Sequence, residues 1–509
     1  MIDPRHPLAV LAGRLDWEQI EARIAPLFAR HGKRQVAEGA DLFGPTPTTV
    51  DVHAGGRPRL PFRLMVSLLY LKHAYGESDE SVCERWSENV VWQFFSGMAY
   101  YTPKLPCDPT QIGRFRRVLG EAGVEELLSQ TITTAVRIEA VERQALETVV
   151  VDTTVQEKAV AYPTDSRLLE AARRKVALEA RRAGLELKQS YEKEGRQLRR
   201  RAGGYAHAKQ FRRLRKMLKR QRTILGRLLR DVRRKMDGLE EAARARLDVW
   251  MTRAERLHGQ RQKDKDKLYA LHAPEVECIG KGKARQPYEF GVKVSVAISH
   301  GSGLVVGARS FPGRPYDGHT LDEQLEQSRI LLEDVGAVPH TAYTDLGFRG
   351  VDEAIAPVIL VHRGKLKTLT KQQQQALKRR QAVEPVIGHM KQDNGMGRCW
   401  LKGAQGDALN AVLAAVGYNL RWLLRAIVDG RVKLAFLRLF RPSLSRRILG
   451  WISAGEPRTV SADGKLTHPA DRKLTHLGRG WRPLGGRLDV DPGGSSGSEG
   501  VGPSGQRGA

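Results

Sequence analysis

The sequence predicts a mixed α/β fold: a sheet flanked by helices, preceded by an all-helical N-terminal region and interrupted by a long basic helical insertion. Three observations carry that prediction. A β-branched run, ETVVVDTTV, begins at Glu147 after a long stretch of helical patterning. A second segment, YEFGVKVSVAISH at residues 288–300, alternates as a strand does and is joined by a GSG turn to LVVGARSF, its hairpin partner. Between these strand regions, residues 166–286 hold almost no strand pattern and a dense positive charge.

Taken in chain order, residues 1–145 read as several short helices, carried by LPFRLMVSLLYLKHAYG, SDESVCERWSENVVWQFFSG and DPTQIGRFRRVLGEAGVEELL. In the last of these Asp108 is placed to cap a helix and Pro109 suits its first position. Arg114, Arg116 and Arg117 then follow on the helix, where they either reach phosphates or form a solvated face. The run at Glu147 is too short and too valine-rich for a surface helix and reads as a buried strand. Later short strands are expected in HTAYTDLGF and APVILVHR, with the helical segment DGHTLDEQLEQSRILLEDVG before them.

The centre of the insertion is helical. From Lys209 to Lys235 it carries 13 basic residues against one acid, Asp231, while Phe211, Leu218, Leu225, Val232 and Leu239 recur every seven positions. That is a basic helix with one apolar seam, which either packs within the insertion or supports a dimer. Its basic faces either grip a DNA backbone or remain solvated, and DNA contact is the expectation. Toward the C-terminus, DALNAVLAAVGYNLRWLLR places Leu409, Leu413, Val416, Leu420 and Leu423 at steps of four and three, with Asp407 as its cap, so a helix should cover the sheet. Residues 455–509, with KLTH repeated and a terminal stretch rich in Gly, Ser and Pro, read as a disordered tail.

Composition narrows the functional classes. The 509 residues suffice for two or more domains, and 85 Lys and Arg against 57 Asp and Glu give a net charge of +28, which points to a polyanionic partner, nucleic acid first. The four cysteines, Cys83, Cys107, Cys278 and Cys399, are far apart and form no CxxC pair, so neither a zinc ribbon nor a disulfide framework is expected. Arg14 and Asp16 interrupt the short apolar stretch near the N-terminus, and no segment is expected to reach the roughly 18 apolar residues that span a bilayer. The expected setting is cytoplasmic, with access to DNA.

Three acids stand where a rigid scaffold can bring distant oxygens together. Asp152 interrupts the valine run, and a charge in a buried strand is costly unless paired or bound to metal; a local turn hydrogen bond is the alternative. Asp345 follows a short strand in AYTDLGFRG, with Gly347 permitting a sharp turn and Arg349 close by. Glu384 sits in KRRQAVEPVIGHMKQDNGMGR, with Arg380 four residues before and Lys391 seven after, spacings that share one helix face unless Pro385 starts or kinks the helix. An acid between two cations suits a site for metal and phosphate; an ordinary ion-pair ladder is the alternative for Arg380 and Lys391.

Together, VVVDTTV, AYTDLGFRG and the block Arg380-x3-Glu384-x6-Lys391 resemble the DDE transposases of bacterial insertion sequences, and the N-terminal segments LPFRLMVSLLYLKHAYG and PCDPTQIGRFRRVLG resemble the helical domain that precedes the core in that group. The block matches the later part of the group's tyrosine–arginine–glutamate–lysine signature, but Leu377 stands where the tyrosine belongs. The resemblance, over roughly residues 40–440, implies a ribonuclease-H-like catalytic domain at 146–440, interrupted by the insertion at 166–286, behind a DNA-end-binding domain at 1–145. It implies that Asp152, Asp345 and Glu384 hold two Mg²⁺ ions, with Mn²⁺ able to substitute, and that Arg380 and Lys391 position DNA phosphates. The implied activity is cutting double-stranded DNA at the terminal inverted repeats of a mobile element and joining the freed 3′-hydroxyls to target DNA. The implied partners are that DNA and further copies of the chain, in a homodimer or larger synaptic assembly at the nucleoid. A metal-dependent nuclease on the same fold, or a catalytically silent DNA-binding copy, would share much of this pattern.

Overall fold

In the computed structural model, residues 2–28, 40–41, 44–45, 59–261, 263–280, 287–348, 358–365 and 369–430 are described. The expected tail at 455–509 and Arg349 lie outside them. All described residues belong to one compact unit, Met1–Phe436.

The N-terminal region is helical as expected: α1 (Pro7–Ala12), α2 (Trp17–Ile24), α3 (Phe62–Tyr75), α4 (Asp79–Glu88), α5 (Val90–Phe95) and α6 (Pro109–Arg137). Two-residue strands β1 (Ala40–Asp41) and β2 (Gly44–Pro45) pair antiparallel between α2 and α3. Asp108 caps α6 through the Thr110 N–H with Pro109 in the first turn, and α6 breaks at Gly120, whose φ of +63° a side chain would strain. Arg116 does not reach solvent. It is buried, and its guanidinium grips both Asp79 oxygens at 3.1 and 2.9 Å, while Lys72 reaches the same carboxylate at 3.0 Å. Arg116 therefore neither reaches for phosphate nor joins a solvated face, the two readings the sequence left open, because the residue facing it is an acid at the start of α4; Arg114 and Arg117 are exposed.

The sheet has six strands: β3 (Thr148–Glu157), β4 (Glu277–Gly280), β5 (Tyr288–Ser299), β6 (Val305–Phe311), β7 (Thr341–Tyr343) and β8 (Ile359–Val361). β5 pairs antiparallel with β3 on one side and with β6 and β4 on the other; β7 and β8 continue parallel beyond β3. The result is a mixed sheet in the order β6–β5–β3–β7–β8, flanked by helices, which is the ribonuclease-H-like arrangement. β4 was not foreseen within the basic insertion. Its four residues carry too little alternation to be read as a strand, and only the open edge of β5 makes them one. α11 (Leu321–Leu331) returns the chain from β6 toward β7, and α12 (Lys371–Lys378), α13 (Val383–Gln392) and α14 (Gly403–Val428) complete the layer.

α14 starts four residues before Asp407, so that residue is not its cap. It lies in the second turn, buried, and accepts from Lys158 Nζ at 2.9 Å; Lys158 also reaches Glu275 at 3.0 Å. By length and composition α14 is apolar enough to cross a membrane, contrary to the expectation that no segment would be. Most of that window is buried, however, against α3, α6 and β6. Gly417 sets its approach to α3: a β-carbon there would fall 2.4 Å from the His73 carbonyl carbon and oxygen. One continuous apolar cluster joins the N-terminal helices, the sheet and α14.

The insertion forms four helices, α7 (Asp165–Arg182), α8 (Glu192–His207), α9 (Phe211–Arg233) and α10 (Glu241–Gly259), around a separate apolar cluster. The heptad seam is used there: Leu225 and Val232 are buried, and Leu218 and Leu239 pack against the cluster, while Phe211 is exposed. Asp231, the lone acid, is buried and accepts from the Lys188 N–H at 3.0 Å and from Lys235 Nζ at 3.3 Å.

Candidate active site

Asp152 and Asp345 meet because of strand register. β3 and β7 run parallel, and their last pair is Val150 with Tyr343. Each aspartate stands two residues beyond that pair, so the two carboxylates leave neighbouring backbones about 4.8 Å apart, just where β7 stops hydrogen bonding. On its other side β3 continues, pairing Asp152 with Val296 of β5, which holds the residue in the sheet and half-buried.

The electrostatic consequence falls on Asp152. Burial first, and then the Asp345 charge, push its carboxyl up from 3.8 to about 6, with Glu384 acting in the same sense. The Thr153 N–H, which donates to Oδ1 at 2.8 Å, and Arg380, whose guanidinium nitrogen stands 3.6 Å from Oδ2, oppose that rise.

Arg380 links Asp152 to Glu384. Its second terminal nitrogen is 4.0 Å from Glu384 Oε1, and its side chain is only 14% exposed against 64% for Glu384. The helix question raised by Pro385 is settled locally: a 3₁₀ turn, Arg379–Ala382, leads directly into α13, which begins at Val383. Pro385 thus falls in the first turn, where a missing N–H removes no intrahelical bond. α13 packs against β3, bringing Glu384 toward Asp152, and Lys391 lies in the last turn of the same helix. Leu377, at the end of α12, is buried in the main core.

Sequence reasoning missed a second layer of this site. Asp317 opens a 3₁₀ turn after β6 and accepts at one oxygen from Thr153 Oγ1 at 2.9 Å and from Lys293 Nζ at 2.7 Å; Lys293 also donates to the Pro315 carbonyl. Its other oxygen faces Gly347. A β-carbon at Gly347 would lie 2.9 Å from Asp345 Oδ1 and 3.0 Å from Asp317 Oδ2, so those oxygens are no more than about 6 Å apart, and a side chain there would have to displace one or both carboxylates. The Gly347 N–H also donates to Asp345 Oδ1 at 2.8 Å. Asp317 reads in sequence as a helix-start residue; its partners lie 164 and 24 positions away, and no local pattern signals them.

Among the described residues, no three His, Cys, Asp or Glu side chains stand close enough together to hold one metal ion. The chemistry of the donors nevertheless fits a hard divalent cation: carboxylate oxygens that repel one another, one of them driven to bind a proton near pH 6 and braced by an arginine. A groove of about 1520 Å³ between α7, α8 and α9 lies in the insertion and is lined by none of these acids.

Comparison with known proteins finds two transposase domains in the chain. Residues 1–118 match the family described as Transposase domain (DUF772), and residues 254–420 match the family described as Transposase DDE domain, a span that includes Asp317, Asp345 and Glu384 but starts after Asp152. The chain is 38% identical over 211 residues to the uncharacterized protein ORF8 in the nfe locus of Rhizobium meliloti, covering 42% of this chain and 90% of that one. No solved structure matches it. With a helical transposase domain in front of a ribonuclease-H-like core, the chain belongs to the DDE transposases of bacterial insertion sequences.

Proposed function

We propose that this transposase cuts DNA at the ends of its element and joins the freed 3′-hydroxyls to target DNA by phosphoryl transfer, at a site formed by Asp152, Asp345 and Glu384. The observation that best supports the reading is the parallel register that puts Asp152 beside Asp345, with α13 carrying Glu384 and Arg380 against the same strand.

In the first step a water oxygen bonds to phosphorus at the element end, and the bond from phosphorus to the element's 3′ oxygen breaks. In the second, that 3′-hydroxyl attacks a target phosphodiester and expels the target strand's 3′ oxygen. Two Mg²⁺ ions, or Mn²⁺ in their place, would supply charge neutralisation and nucleophile activation when bound. Asp152 and Asp345, on the rigid strand ends, would hold them, and Glu384, largely exposed, is free to swing in from α13. Arg380, which now braces Asp152 and Glu384, would turn to a DNA phosphate, with Lys391 acting alongside it. Asp317, neutralised by Lys293, fixes the Asp345 turn against β3.

Within this reading residues 1–145 bind the element ends and 146–440 are catalytic, with the insertion at 166–286. The protein works as a homodimer or larger synaptic assembly at the nucleoid. The test is a cleavage and strand-transfer assay on labelled duplexes carrying candidate element ends, with Mg²⁺ or Mn²⁺, comparing the wild type with Asp152→Ala, Asp345→Ala and Glu384→Ala. Joined products that disappear in all three variants support the reading. Nicking without joining would make the protein a nuclease, and salt-sensitive binding with no cleavage under either metal a silent copy.

A further inference from the structure

The insertion concentrates the charge of the chain. Residues 165–259 contain 29 Lys and Arg against 12 Asp and Glu, so 17 of the chain's 28 net positive charges lie in less than a fifth of its length. These helices fold around their own apolar cluster. The arrangement of α9 shows where that charge is presented.

At 3.6 residues per turn, Arg212, Lys216, Lys219, Arg227 and Arg230 fall within an arc of about 80° on α9. All five are exposed, as is Thr223 in the middle of the row. The opposite side of the helix carries its buried residues, among them Leu225, Leu228, Leu229 and Val232. Of the other basic residues of the helix, Arg220 pairs with Glu194 and Arg233 with Glu255, while Arg213, Arg215 and Arg222 donate to the Gln210 side chain and to the Phe211 and Gln260 carbonyls. Among the described residues no carboxylate pairs with any of the five in the row. Fixed on a helix whose back is packed, they form a straight ridge of unneutralised charge about 27 Å long at 1.5 Å per residue.

We propose that this ridge is a docking surface for the sugar–phosphate backbone of duplex DNA, gripped without regard to base sequence. The inference rests on the transposase reading for the identity of the polyanion. Duplex DNA presents a phosphate charge about every 1.7 Å of axis, so a rigid row of this length meets a matching linear array. The ridge holds long cations and one threonine, with no Asn or Gln to read adenine edges. A second copy docking by the same face would set ten cations against one another. A lipid surface would need an apolar flank beside the charge, and on α9 the apolar side is already buried.

The experiment measures equilibrium binding of the full-length protein to a labelled random-sequence duplex across about 50 to 200 mM salt. One variant carries Gln at Arg212, Lys216, Lys219, Arg227 and Arg230. A control carries Gln at five exposed cations elsewhere, Arg5, Lys104, Arg143, Arg244 and Arg246. Every phosphate that is no longer neutralised takes about 0.9 from the slope of log K against log salt, so the ridge variant should flatten it by about 4 to 5, while the control changes it by less than about 1. Circular dichroism should be unchanged, since every altered side chain is exposed.

Equal effects of the two variants would mean that only net charge matters, and no effect of either that the ridge stays solvated; both results overturn the proposal. So would loss of single-stranded RNA binding with duplex binding intact, or a change of sedimentation confined to the ridge variant. The Asp152→Ala, Asp345→Ala and Glu384→Ala proteins should keep the wild-type slope. A protein that never cleaves DNA but shows the ridge effect would retire the catalytic reading alone, and one that cleaves with an unchanged slope would retire the ridge alone.

Discussion

Asp152→Asn should make the metal-free protein more stable at alkaline pH and leave it unchanged in acid. Asp152 is 18% exposed at the side chain, and its carboxyl is pushed up from 3.8 to about 6 by burial and by Asp345. Between those values the folded protein holds a proton that the unfolded chain has released. Stability from this group is therefore fully present below pH 3.8 and is lost as the pH rises through about 6. The span is worth about 3 kcal/mol, at 1.36 kcal/mol for each tenfold change. An asparagine, which does not titrate, avoids that loss, less whatever the contact with Arg380 contributes. The assay is urea unfolding in EDTA at a series of pH values, followed by fluorescence, on wild type and variant. The difference should open from near zero at pH 4 to about 2–3 kcal/mol at pH 8, and saturating Mg²⁺ should narrow it by stabilising the wild type more. A difference that is flat with pH, or a variant less stable at pH 8, would refute the argument that Asp152 is held in a repulsive site.

Other consequences concern the scaffold. Arg116→Ala leaves the half-buried Asp79 with Lys72 as its remaining partner and should cost about 2 kcal/mol in denaturant unfolding at pH 7. Burial alone would raise the Asp79 carboxyl, but Arg116 and Lys72 hold it at about 2, so the wild-type advantage should persist above pH 3.8 and fade as the pH drops toward 2. A Gly417→Ala substitution forces α14 away from the His73 carbonyl and should destabilise by about 1–3 kcal/mol, seen as a lowered denaturation midpoint; a neutral effect would mean that α3 and α14 slide freely. Gly347→Ala should leave overall stability nearly unchanged yet abolish strand transfer, since its β-carbon would push Asp345 and Asp317 apart.

Much of this protein was legible in its sequence because the signals were local. The valine run around Asp152 and the hairpin at 288–311 were marked by β-branched residues between turn signals, and their consecutive buried positions show strands covered on both faces. α14 was marked by apolar steps of four and three, and it is buried all round from Gly406 to Leu420. The cap at Asp108 and the basic character of α9 were equally local. Asp152, Asp345 and Glu384 could be singled out because each acid sits at an unusual place in a strand or helix pattern. What the sequence could not supply was every relation between residues far apart in the chain. Register alone put Asp152 beside Asp345. The open edge of β5 made a strand of Glu277–Gly280, and Asp79 drew Arg116 inward, as Lys158 drew Asp407. The tie from Asp317 to Lys293 and Thr153, and the five outward cations on α9, likewise emerged only when the chain had folded. Periodicity states which face of an element is buried; it does not state what that face meets, because the partner is chosen by packing and charge in three dimensions.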